Sequence, residues 1–463
     1  MSFTSVYFIP YMVIAFAVYH SAKIKHKHIV ILALNVAFCV LVNPKMVLAL
    51  ATVILVTYLG GIIIYKSGNH KRTLIVFISC SVLILLGFRS YSGLKYNPAV
   101  VGVSFYSLQA IGYLIDVYMR RTDPERNLIK YADYISFFPT VISGPIQRST
   151  NLLQQIQDGT TFSYDLAKSG LRIMAGGYFA KILVADRINP LIAPIFDSIE
   201  TQSGTTLLFG LIMYGIELYA DFSGYSLIAI GTARLLGFEI GDNFRQPYFA
   251  IGISDFWRRW HISLSTWLRD YIYIPLGGNR KGKTRKIVNL LITFLISGIW
   301  HGSGLNYVIW GVLHGLYSAI ESVAAYREQK VTVRRSKTKM VIRGLVTFII
   351  VNFGWLFFRV DSPGDAVVFC KRVVCNLDFV ETVRSMTFLS GYNVGRFAIL
   401  LVEILILFGA DVARETGHSV CSLIDRRSAL FRMAVYVIVT VILIMGAFRN
   451  YGLDSSAFIY AQF

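Results

Sequence analysis

Residues Met46–Tyr65 read MVLALATVILVTYLGGIIIY, twenty positions without a charge. A helix rises about 1.5 Å per residue, so a run of this length covers the roughly 30 Å of hydrocarbon in a bilayer. Comparable apolar blocks lie on either side: Phe3–Val18, Ile29–Val42 and Leu74–Leu86 nearby, then Ile287–Trp300, Val341–Phe358, Phe397–Phe408 and Met433–Phe448. The shorter blocks are expected to be tilted or re-entrant. Over the 463 residues, 55% are apolar and only 15% charged, and the mean hydropathy is +0.57. A soluble globule could not cover that much apolar surface with so few charges, whereas lipid needs no such cover. The reading is an all-α membrane protein with roughly ten to twelve spans, organised as one polytopic domain without linkers or internal repeats.

The net charge of +19 does not point to nucleic acid, because the bases lie between apolar blocks rather than on one surface. Their distribution fits cytoplasmic loops and contact with anionic lipid headgroups. Lys23, Lys25 and Lys27 follow the first block. Lys66, Lys71 and Arg72 follow the third, and Arg120, Arg121, Arg126 and Lys130 follow the fifth, Pro98–Met119. With each cluster cytoplasmic, the first five spans alternate without conflict and the N-terminus lies outside. The dense loop Arg327–Arg343 and the cluster Arg426, Arg427 and Arg432 then place Arg359–Tyr392 and the tail after Arg449 outside. Met1–His20 lacks the basic start and cleavage site of a signal peptide and reads as a retained first span. Five scattered cysteines form no Cys-x-x-Cys pair, so neither a disulfide framework nor a zinc site is supported.

Two segments, Tyr131–Pro145 and Asp242–Lys286, mix prolines, glycines and charges with aromatic residues. Irregular backbone at membrane depth survives only under cover of protein or water, so both are expected to be re-entrant or interfacial and packed inside the bundle. Within the second, ISDFWRRWHISLSTWLRDYIYIPLGG (Ile253–Gly278) is read as an amphipathic helix capped by Ser254 or Asp255. Trp257, Trp260, His261, Leu264 and Leu268 share one face of it, and Arg258, Arg259 and Arg269 lie off that stripe. Further on, LLITFLISGIWHGSGLNYVIWGVLHG (Leu290–Gly315) ends an apolar span on His301, followed by Gly302 and Gly304. An ionisable side chain at membrane depth is costly and is a functional candidate for that reason. An imidazole also titrates near neutrality, as a general base requires. The flanking glycines are read as room for a substrate. His261 and His301 also fit a packing role, and for His314 packing is the leading reading. His20, His26, His28, His70 and His418 fall at basic connections, as solvated charges or headgroup contacts. The three central histidines lack zincin spacing and an acidic partner, so no metal is expected. No GxGxxG, Walker loop or nucleophile elbow occurs.

These two stretches, together with SFYSLQAIGYLIDVY (Ser104–Tyr118), YISFFPTVISGPIQR (Tyr134–Arg148), YADFSGYSLIAIGTARLLGF (Tyr219–Phe238), NFRQPY (Asn243–Tyr248) and NFGWLFFRV (Asn352–Val360), resemble the membrane-bound O-acyltransferase family in its bacterial polysaccharide O-acetyltransferase branch. The resemblance implies a helical bundle around a central tunnel, in the cytoplasmic membrane of a bacterium. It implies variable spans over 1–97, a catalytic core over 98–360, C-terminal spans over 361–448 and an extracytoplasmic tail over 449–463. It makes His301 the general base, and His261 the group that orients the acyl chain or stabilises charge. It also implies acetyl transfer from a cytoplasmic donor, acetyl-CoA, to a polysaccharide or peptidoglycan, with an extracytoplasmic acetyltransferase as partner. Arg258, Arg259 and Arg269 would then suit the phosphates of the donor. The ending AFIYAQF (Ala457–Phe463) is similar to a Phe-x-Tyr-x-Phe motif of this branch, and implies an acyl relay through Tyr460. D-Alanyl transfer to teichoic acid from an acyl-carrier protein, and a non-catalytic export role, are the alternatives. A transporter is expected to show paired repeats, which are absent from the sequence.

Overall fold

The computed structural model describes residues 1–92, 101–328, 337–382, 394–418 and 420–450. Helices and turns make up the described residues, without a strand among them. Among the described residues six helices are long and apolar enough to cross a membrane: Ile24–Val42, Pro44–Lys66, His70–Ser90, Gly204–Leu235, Thr338–Arg359 and Ala429–Phe448. Gly282–His301, Leu305–Glu328 and Val394–Glu415 add three of comparable length and more polar character. In Ala429–Phe448 only 6% of the most apolar window is buried, and Leu430, Met445 and Phe448 are largely exposed. Water would penalise such a face at about 25 cal/mol per Å², and lipid removes that penalty.

The described residues pack as two bodies, Met1–Tyr178 with Tyr225–Asp242, and Phe179–Gly224 with those from Asn243 to Asn450. In the first body, Asn43 caps the helix Pro44–Lys66 by accepting from the Lys45 N–H (3.0 Å), with proline at the first helical position. Glycines bring the neighbouring helices close, since a Cβ on Gly60 would lie 2.8 Å from the Phe77 ring and one on Gly61 2.7 Å from Tyr113. Two of the basic connections touch. The Arg120 guanidinium stacks 3.9 Å over Tyr65, beside Lys66, and donates to the Tyr65 carbonyl (3.1 Å). The run Tyr131–Gln147, which is the end of the helix Leu128–Ser136 and the irregular backbone after it, is buried throughout. Its backbone is satisfied from neighbouring helices, with the Phe138 N–H donating to Asn35 Oδ1 (2.9 Å) and the Gln109 amide donating to the Tyr134 carbonyl.

The second body is organised by a hairpin of Gly282–His301 and Leu305–Glu328. A Cβ on Gly298 would sit 2.3 Å from the Tyr307 carbonyl oxygen, and one on Gly311 2.5 Å from that of Phe294. Backbone therefore packs on backbone, and His301 and His314 are fixed to a rigid pair. Lys181, buried, bridges Asp186 (2.7 Å) and Asp221 (2.6 Å), so two desolvated carboxylates share one cation. Ile253–Gly278 departs from the single helix read in the sequence. It forms two seven-residue helices, Ile253–Arg259 and Ile262–Leu268, broken at Trp260–His261. Neither expected side-chain cap forms on the first. Instead the Ser254 N–H donates to Glu321 Oε2 (2.7 Å), while the Asp255 carboxylate accepts from the Ile251 N–H (3.2 Å).

Candidate active site

The break at His261 is held from outside the two helices. The Arg245 N–H donates to the Arg259 carbonyl, and the Ile262 N–H donates to the Asn243 carbonyl, each at 2.9 Å. Between these bonds His261 takes a left-handed backbone, φ 42°. That conformation costs a non-glycine residue about 1–2 kcal/mol and persists only where surrounding contacts impose it. Trp260 anchors the turn, buried against Phe244 (5.1 Å between centroids), Phe256 (5.5 Å) and Trp355 (4.8 Å).

The turn delivers the His261 ring edge-on to Phe222 (4.6 Å) with Nδ1 3.2 Å from Asn243 Oδ1. The same oxygen accepts from the Ser263 N–H (3.1 Å) and the Ser263 hydroxyl (2.9 Å). A backbone N–H can only donate, which fixes the orientation of the Asn243 amide. Nδ1 of His261 must then carry the hydrogen, and Nε2 the lone pair. Asn243 opens the motif NFRQPY, but its role as the tautomer-setting partner could not be read there, because eighteen residues separate it from His261.

His301 ends its helix with only 3% of its surface exposed. Its ring meets Trp300 (4.7 Å), Trp310 (5.0 Å) and Phe358 (5.2 Å) at steep angles. Trp300 also faces His261 (6.2 Å), and Trp310 also contacts His314 (4.9 Å). Three histidines from three elements thus lie along one aromatic series. The expected room for substrate beside His301 is filled in this structure. A Cβ on Gly302 would fall 2.1 Å from the Tyr307 ring, so this glycine admits Tyr307 rather than open space. His314 is wholly buried, and neither of its ring nitrogens has a hydrogen-bond partner among the described residues. Packing alone would favour an apolar side chain there.

The three arginines differ in their surroundings. Arg258 is exposed. Arg259 pairs with Glu415 (2.7 Å) and Asp255 (3.1 Å), and the bond to Glu415 raises its pKa above the ordinary value against the opposing pull of burial. Arg269 pairs with the adjacent Asp270 (2.8 Å). Tyr460 lies outside the described residues.

The membrane-bound O-acyltransferase family model matches residues 119–360, slightly more than half of the chain. The chain belongs to that family. Among similar proteins is one from Pseudomonas syringae pv. tomato named "Probable alginate O-acetylase AlgI", 40% identical over 262 residues, covering 57% of this chain and 49% of the relative. The peptidoglycan O-acetyltransferase of Helicobacter pylori is 34% identical over 300 residues, covering 59% and 56%. The teichoic acid D-alanyltransferase of Bacillus subtilis is 25% identical over 335 residues, covering 67% and 84%. The chain spans about half the length of the alginate relatives it matches.

Proposed function

We propose that this chain is an O-acyltransferase of the bacterial cytoplasmic membrane, moving an acetyl group from a cytoplasmic thioester donor, acetyl-CoA, to hydroxyls of an extracytoplasmic polysaccharide or peptidoglycan. The observation that carries the reading is the pair of buried imidazoles, His261 and His301, either side of Trp300, with the proton of His261 fixed by Asn243. Both lie inside the family-matched segment. His301 takes the proton of the acceptor hydroxyl as its oxygen attacks the acyl carbon, forming the C–O bond. Collapse of the tetrahedral intermediate breaks the C–S bond, and the departing thiolate recovers the proton from His301. His261 presents an unprotonated Nε2, which accepts and does not donate. That favours orienting a hydroxyl over stabilising an oxyanion. The Tyr307 ring packed on Gly302, one residue from His301, is the group whose movement would widen the approach to the imidazole.

Of the three arginines, Arg258 is the best placed to meet donor phosphates, since the others are already paired. An extracytoplasmic transferase and an acyl relay through Tyr460 complete the proposal, and an acyl adduct on a C-terminal peptide in intact-mass spectra is the expected sign of the relay. Acetyl rather than D-alanyl transfer is favoured by the higher identity to acetylating relatives, 40% and 34% against 25%. The test is acetate released by mild alkali from envelope polymers of cells with and without the gene. His301→Ala is expected to lower transfer by about 10²- to 10⁴-fold at unchanged protein level. Wild-type transfer by that variant removes the proposed base.

A further inference from the structure

The first body holds a cavity of about 290 Å³ whose wall carries Lys25, Lys27, His28 and Lys130, with Asp158 as its carboxylate. The helix Ile24–Val42 is one of the six long apolar helices, so Lys25 and Lys27 stand at the end of a membrane span. That is the level at which lipid headgroups lie. The geometry is built rather than incidental. A short 3₁₀ turn, Ile24–His26, sets the lysines. Gly159, in a left-handed conformation, lets its loop close against Ile24, where a Cβ would lie 3.1 Å from the isoleucine side chain. The Lys27 ammonium is buried, donates to the Thr160 carbonyl (2.7 Å) and lies 4.6 Å over the Tyr19 ring. Lys130 Nζ donates to the Gln157 carbonyl (3.2 Å). An ammonium carries three donors, so each of these keeps two to offer, and Lys25 keeps all of its own. Three ammonium groups against one carboxylate leave the wall at 3 − 1 = +2 with His28 neutral. The rest of the lining includes the apolar side chains of Ile31, Ile156 and Phe238.

A lining that joins cations to apolar side chains, at the end of a span, matches an anion joined to hydrocarbon. We infer that this cavity binds a phosphate group, supplied either by the headgroup of an anionic phospholipid or by free inorganic phosphate. Lys25 and Lys130 hold the phosphate oxygens, and the anchored Lys27 fixes the depth of the site.

Native mass spectrometry of the full-length protein, released from nanodiscs of equimolar phosphatidylglycerol and phosphatidylcholine, tests this. The wild type is expected to retain phosphatidylglycerol over phosphatidylcholine. Lys25→Gln with Lys130→Gln is expected to lower that occupancy about tenfold or more, at roughly 1 kcal/mol per lysine. Asp158→Asn is expected to raise it, an outcome of opposite sign that does not depend on the lysine variant folding. Arg426→Gln with Arg427→Gln removes the same charge elsewhere and is expected to leave occupancy unchanged. Added inorganic phosphate separates the sources. Displacement of the lipid identifies a site open to the free anion, and retention identifies a headgroup site. Equal retention by wild type, the lysine variant and Asp158→Asn overturns the inference, as does an equal loss in the Arg426/Arg427 control.

Discussion

Replacing Asn243 by alanine removes one oxygen that three donors share. Asn243 Oδ1 accepts from His261 Nδ1, the Ser263 N–H and the Ser263 hydroxyl. The hydroxyl can rotate to another partner, but the other two donors cannot. The His261 N–H is fully buried and loses its acceptor at a cost of about 1–3 kcal/mol, and the half-buried Ser263 N–H adds about 1. The expected loss of stability is therefore roughly 2–4 kcal/mol, read as a lower thermal midpoint in neutral detergent. The functional loss has a separate origin. Without Asn243 neither nitrogen of His261 is committed to carrying the hydrogen, and the ring can turn on its strained backbone. A displacement of about 1 Å can cost 10²-fold in rate, and transfer is expected to fall by about that factor. Ser263→Ala provides the comparison, because it removes one bond to Asn243 and leaves His261 held. Its expected loss is about 1 kcal/mol or less, with near-normal transfer. Full acetate transfer by Asn243→Ala, at whatever stability, would refute the argument that Asn243 prepares His261.

Gly302→Ala places a Cβ where the Tyr307 ring lies, so the ring is displaced. Modification of His301 by diethyl pyrocarbonate, followed by peptide mass spectrometry, is expected to quicken, with about 1–3 kcal/mol lost from overpacking. An unchanged modification rate would mean that Tyr307 does not cover the imidazole. Lys181→Met leaves Asp186 and Asp221 without their shared cation and is expected to cost about 3–5 kcal/mol in thermal or denaturant unfolding. His314→Met removes two buried nitrogens that lack partners. Stability is expected to stay level or rise by about 1 kcal/mol while acetate transfer falls, and the reverse pattern would make His314 a packing residue.

The parts of the fold that depend on local composition were legible in the sequence. Apolar runs gave the long helices, and the structure adds contacts that spacing could not show, with Arg120 on Tyr65 and Lys27 and Lys130 on one cavity. The buried course of Tyr131–Pro145 followed from the cost of irregular backbone in lipid, although its first part, to Ser136, is helical. The parts that depend on distant contacts were not legible. Trp257, Trp260, His261 and Leu264 keep helical spacing, and no glycine or proline marks the break. It is imposed by Asn243 and Arg245 through backbone bonds. Gly302 announced that space was needed beside His301 without naming Tyr307 as its occupant. Arg259 has Asp255 one helical turn away in the sequence, but its second partner, Glu415, is 156 positions away.

The helix Ala429–Asn450 meets its body at the short π-helix Phe179–Ala185, where the position of Gly446 faces Leu183, and most of its other apolar side chains look outward. A rod so sparsely tethered takes its tilt from the thickness of the surrounding hydrocarbon more than from protein neighbours. The outline that this chain offers to the bilayer therefore changes with lipid chain length, while the glycine-packed hairpin bearing His301 and His314 keeps its shape.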